Sequence, residues 1–153
     1  TRDKHLEWIV GLAGLAASPD RLREPGDNWN DEIKRLEEID NIVAAMEWAE
    51  ENSRADAVLD LFLGSQTCWI ASGSLGRIGA YWRDRIPQPP ECEPADRVGW
   101  LSTSGLIDFS LGEASSSVKQ MLEAATMIDT LTATDRRWDG STSIVALSFR
   151  CNP

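Results

Sequence analysis

The chain has 153 residues, with 15 Lys and Arg against 25 Asp and Glu for a net charge of −10, and it is 42% hydrophobic. That is the length of one ordinary domain with a real core, and the composition is globular rather than disordered. The acidity excludes nucleic acid and anionic membrane as partners of this segment, since both need a basic surface, and the longest run of apolar and small residues, Ile9 to Ala17, is nine residues, too short to span a bilayer.

In chain order, Arg2 to Ala17 carries Leu6, Ile9, Val10, Ala13 and Ala17 at steps of three and four, a helical stripe. Asp3, Glu7 and Trp8 stand where a signal peptide needs an apolar stretch. Thr1 in first place reads as a chain processed or cut from something longer. Pro19 and then Glu24-Pro25-Gly26-Asp27 end the helix in a loop. Asn30 is a good N-cap for a second helix over about 31–51, whose stripe is Ile33, Leu36, Ile39, Val43 and Met46. Asp31/Arg35 and Lys34/Glu38 form i,i+4 pairs on its wet side. After Asn52-Ser53 a third helix is predicted over about 55–71, with Val58, Leu61, Phe62, Cys68 and Trp69 as apolar members, and Gly73 stops it. A shorter helix follows over about 75–86, and Pro87 to Pro94 reads as a stiff extended linker. The fifth helix, about 95–111, uses Val98, Leu101, Gly105 and Phe109 and ends at Gly112. The sixth, about 114–131, uses Val118, Met121, Leu122, Ala125 and Ile128, with Ser115-Ser116-Ser117 read as caps at its start. Residues 132–140 are polar, and Ile144 to Leu147 suit either a strand or a seventh helix.

The fold class is therefore all-α: six to seven helices joined by short connections, which make neighbours antiparallel. Two pairs, about 55–86 and 95–131, look like helical hairpins of a tetratricopeptide (TPR) kind. In the second, Leu101, Gly105, Gly112, Met121 and Ala124 fall at the repeat's spacing. Gly105 allows close helix approach, Gly112 makes the turn, and Ala124 is placed to receive a following helix. Residues 1–52 read as helices leading into a repeat region over 53–153, within one contiguous domain.

A wider resemblance rests on Leu22-Arg23-Glu24-Pro25-Gly26, on Trp29-Asn30-Asp31, and on the run from Leu36-Glu37-Glu38-Ile39-Asp40-Asn41 to Ile42-Val43-Ala44-Ala45-Met46-Glu47-Trp48-Ala49. This resembles the helix that opens the TPR-like sensor region of bacterial STAND-class signalling ATPases, the LuxR-type and AfsR-like transcriptional regulators. Cys68-Trp69-Ile70, Gly73, Gly79 and Trp82 are similar to that family's next hairpin, and the likeness covers about residues 20–137. Ile42 and Met46 replace the family's usual leucines, Gly76 departs from its Glu- or Ala-rich turn, and the last thirteen residues, 141–153, are no clean repeat. The resemblance implies a helical sensor or interaction module within an ATP-dependent transcriptional regulator. Its partner would be the parent's own ATPase domain, another protein or a small inducer. Oligomerisation is left open, and the cytoplasm is the expected compartment.

Little in the residues speaks for chemistry within the segment. There is no P-loop motif, so ATP would bind outside it, and Gly73 to Gly79 has no preceding strand and reads as a helix turn. No cofactor or metal site is expected, because Cys68, Cys92 and Cys151 show no C-x-x-C and His5 stands alone. The same odd, scattered cysteines read as free thiols. Glu37/Glu38 and Glu50/Glu51 are helix neighbours pointing about 100° apart and do not converge, so no catalytic residue is assigned. Asp40, beside Leu36 and Val43, is expected to cap a neighbouring helix or accept an arginine. Of seven tryptophans, Trp69, Trp82 and Trp100 are candidates to line a groove. Residues 26–60 hold most of the negative charge, and Glu37, Glu38 and Glu47 are candidates for docking a basic surface. A stand-alone TPR-type adaptor is the first alternative, and a small all-α enzyme using His5 or Asp40 the second.

Overall fold

A computed structural model describes residues 2–16, 39–89, 94–128 and 131. The expected cap at Asn30, the pairs Asp31/Arg35 and Lys34/Glu38, the sites Glu37 and Glu38, Trp29, Trp138, Cys92, Cys151 and the ambiguous 141–150 lie outside these residues. The described residues form seven α-helices, one π-helical turn and no strand. The chain divides into two compact units, Thr1–Ser74 and Leu75–Pro153, each described by itself.

In the first unit, α1 (Arg2–Ala16), α2 (Ile39–Glu51) and α3 (Ala55–Gly64) pack together, and α4 (Gln66–Ala71) continues from α3. The core is built from Leu6 and Ile9 of α1, Ile42, Met46 and Ala49 of α2, and Val58, Leu61 and Phe62 of α3. Asp40, expected to cap or pair, is exposed. The turn between α2 and α3 holds Ser53 at φ 56°, a left-handed residue. It lets Arg54 N–H reach Ala49 O at 2.8 Å and Ser53 N–H reach Glu50 O at 3.0 Å, satisfying carbonyls at the helix end. The single helix expected over 55–71 is interrupted at Ser65, whose ψ of 3° lies outside regular helix. The Gly64-Ser65 pair supplies the local cause, a small-residue step where helices bend.

In the second unit, the short helix expected over 75–86 is a π-helical turn, Leu75–Gly79, followed by α5 (Ala80–Arg83). Gly76 and Gly79 set this geometry through close approach. A Cβ on Gly76 would lie 2.9 Å from Ser110 Oγ, and one on Gly79 3.0 Å from Ile107 Cγ1. The proline linker is shorter than expected, because Pro94 is the first residue of α6 (Pro94–Ser110), where its missing N–H costs no helix bond. Gly112 at φ 83° turns the chain into α7 (Ala114–Ile128).

α6 and α7 form a tight antiparallel hairpin. A Cβ on Gly105 would meet Met121 Cγ and Cε at 3.1 Å and the Ser117 carbonyl at 3.3 Å, so the glycine sets the approach. Val98 and Leu101 pack with Ala124 inside the hairpin; the expected following helix lies outside the described residues. The buried face of α7 is Ser117, Met121, Ala124 and Ala125. Val118 and Leu122, expected in the stripe, are exposed, as is Phe109 of α6. Close approach at Gly105 accommodates only small or flexible residues opposite, and so turns the larger aliphatic residues of α7 outward.

Candidate functional site

Two places gather polar side chains. The first is buried in the second unit. Asp108, near the end of α6, is 3% exposed. Arg83 Nη1 of α5 donates to Asp108 Oδ1. On the other oxygen, Ser116 Oγ donates at 2.5 Å and Gln120 Nε2 at 2.6 Å, both from α7. Ser116, expected as a helix cap, thus turns its hydroxyl to Asp108 instead. One carboxylate fastens three helices, and its donors among the described residues are a guanidinium, a hydroxyl and an amide. This is the bonding of a structural clasp. Arg97 adds a second tie between the hairpin helices, with Nη2 donating to Glu123 Oε1 at 2.9 Å.

Several buried polar atoms in the same unit have no hydrogen-bond partner among the described residues: Trp82 Nε1, Trp100 Nε1, Ser102 Oγ, Ser104 Oγ and Gln120 Oε1. In the first unit Trp69 Nε1, Ser65 Oγ and Gln66 Nε2 are in the same state. Trp69 and Trp82 are wholly buried, in different units, and Trp69 packs on Phe62 at 5.5 Å between ring centroids. They are core side chains and present no surface to a groove. Trp100 is half-buried, against the cluster of Val98, Leu101 and Ala124. Cys68 is buried, and desolvation pushes its thiol up to about 11, against a smaller lowering by its own backbone hydrogen bond.

The second place is open. In the first unit, a cleft of about 340 Å³ lies between the N-terminal end of α1 and the C-terminal half of α2. Arg2, His5 and Leu6 line one side, and Ala44, Ala45, Glu47, Trp48 and Glu51 the other. Leu6 and Ala45 are buried, while Arg2, His5, Glu47 and Glu51 are exposed at the rim. His5 also stacks on Trp8, with ring centroids 6.0 Å apart. Arg2, Glu47 and Glu51 make no ion pair or side-chain hydrogen bond among the described residues. Two of these charges, Arg2 and Glu51, stand at the less favourable end of their helices. Arg2 is at the positive end of α1 and Glu51 at the negative end of α2.

Glu47, the one sequence-identified docking residue among the described residues, falls in this cleft. Nothing in the sequence brings Arg2, Trp48 and Glu51 to one place, and there His5 reads only as a candidate metal ligand or catalytic residue. The available signal was the placement of charges against the helix dipole, at Arg2 and at Glu50-Glu51. Among the described residues no three His, Cys, Asp or Glu side chains come together as a metal-holding group. Among the same residues no helix is long and apolar enough to cross a membrane. Comparison with protein-family models, with curated proteins and with solved structures finds no match.

Proposed function

We propose that the chain is a non-enzymatic, TPR-like sensor or interaction module of a larger ATP-dependent transcriptional regulator of the bacterial STAND class. The observation that carries this reading is the α6–α7 hairpin. It is a pair of antiparallel helices brought close at Gly105, turned at Gly112 and sealed by Ala124, which are the small-residue positions that a helical repeat needs. The Asp40-to-Ala49 sequence, most of α2, supplies the link to the regulator family. Within such a protein the module binds the ATPase core, a second protein or a small inducer, and ATP binds elsewhere. It switches the parent only if its ligand prefers one of the parent's two states, because equal affinity for both shifts nothing.

The test of the parent is the gene around this chain. A Walker motif upstream and a helix-turn-helix downstream are expected, and a reading frame with neither overturns the regulator. The non-enzymatic part is tested separately. Hydrolase or transferase turnover that disappears on His5→Ala or Asp40→Asn would overturn it.

A further inference from the structure

The α1–α2 cleft of the first unit has the size and the charge layout of a small-molecule site. Its volume of about 340 Å³ falls at the lower end of the range for ligand pockets. A free amino acid fills such a space and a folded partner domain does not. The floor is apolar, from the buried Leu6 and Ala45, with the exposed Ala44 and the Trp48 indole beside it. One wall carries the Arg2 guanidinium with the His5 imidazole, and the other carries the carboxylates of Glu47 and Glu51, one helical turn apart. These charges face the same space without pairing across it among the described residues. A surface that only needed solvation would more cheaply place Arg2 and Glu51 at the opposite helix ends.

We infer that this cleft binds a small zwitterion of the α-amino-acid class with an apolar side chain. The ligand carboxylate is taken by Arg2, whose fork suits a planar anion. The ligand ammonium lies between Glu47 and Glu51 and over the edge of the Trp48 face, where an aromatic ring also attracts a cation. The apolar side chain covers Leu6 and Ala45. This deepens the function proposed above by naming a class of inducer. It rests on that reading only for what binding would signal, since binding itself is measured on the chain alone.

The experiment is calorimetric titration of the 153-residue chain with three matched probes: L-leucine, leucinamide and 4-methylpentanoate. Leucinamide lacks the carboxylate and 4-methylpentanoate lacks the ammonium. L-Leucine is expected to saturate at micromolar to millimolar concentration, and each single-charge analogue to bind at least about tenfold more weakly. Arg2→Gln should weaken L-leucine while leaving leucinamide unchanged, and Glu47→Gln with Glu51→Gln should weaken L-leucine while leaving 4-methylpentanoate unchanged. All three positions are exposed, so unchanged circular dichroism is expected for the variants. The inference is overturned if L-leucine fails to saturate at tens of millimolar, if the three probes bind alike, or if the variants bind L-leucine as the unsubstituted chain does. None of these outcomes touches the gene-context test, so the site can fail while the regulator reading stands.

Discussion

The Cys68 thiol shows how one buried group sets a pH dependence. In the native chain it titrates near 11, raised from 9.0 by desolvation, whereas in the unfolded chain it ionises at its ordinary value. Between those two values the unfolded state has lost a proton that the native state keeps. The stability tied to this group is therefore intact below pH 9.0 and falls as pH rises towards 11, by about 3 kcal/mol in all. Urea melts of the parent chain and of Cys68→Ala, at about pH 8 and about pH 10.5, isolate the effect from other titrations. The parent should lose more stability than the variant across that interval. Parallel losses would show that the thiol ionises equally in both states. The same burial should make Cys68 slow to alkylate until the native state opens.

At the scale of elements, the helices were legible and their faces were not. Periodicity finds α1, α2, α6 and α7 because each repeats apolar residues at three and four, and Gly73 after α4 and Gly112 between α6 and α7 mark turns through positive φ. It misassigns Val118, Leu122 and Phe109, because a stripe of large residues is only half of a packing decision. The other half is which partner can come close, and Gly105 lets Ser117, Met121 and Ala124 win. The π-helical turn at Leu75–Gly79 was hidden for a related reason, since it follows from the fit of Gly76 and Gly79 against Ser110 and Ile107. Gly105→Val tests the hairpin. Its branched side chain would press on Met121 and on the Ser117 carbonyl, and should cost about 1–3 kcal/mol by chemical denaturation. A neutral result would mean that α7 moves away freely. The clasp at Asp108 was equally invisible, because nothing in the sequence ties Arg83 to a residue twenty-five positions on. Asp108→Ala leaves the Arg83 guanidinium, Ser116 and Gln120 without their shared acceptor, and a loss of about 3–5 kcal/mol is expected. Arg83→Met together with Asp108→Leu should recover a large part of that loss; no recovery would show that the ion pair is not the source.

At the scale of the whole molecule the governing quantity is the net charge of −10. Residues 26–60 hold eleven acidic side chains against Lys34, Arg35 and Arg54, which is −8 of that total. Folding brings like charges nearer than the unfolded chain does, so self-repulsion opposes the compact state. Salt screens it, with a Debye length of about 10 Å at 0.1 M. The melting temperature should therefore rise by a few degrees between low salt and about 0.3 M NaCl. Reversing Glu37, Glu38 and Glu47 to Lys takes the charge from −10 to −4, and the salt-induced rise should shrink with it. An equal rise in both proteins would mean that these three positions lie too far from their acidic neighbours to matter. The triple variant also separates two uses of the acidic face. If the face docks a basic surface of the parent, affinity for that domain should fall in the variant, and the parent chain's own affinity should fall with salt. If the face is only solvated, the reversal changes the thermal response and leaves binding untouched. Because the thermal arm needs no partner, it shows first whether the charge change is felt at all, and that makes an unchanged affinity informative.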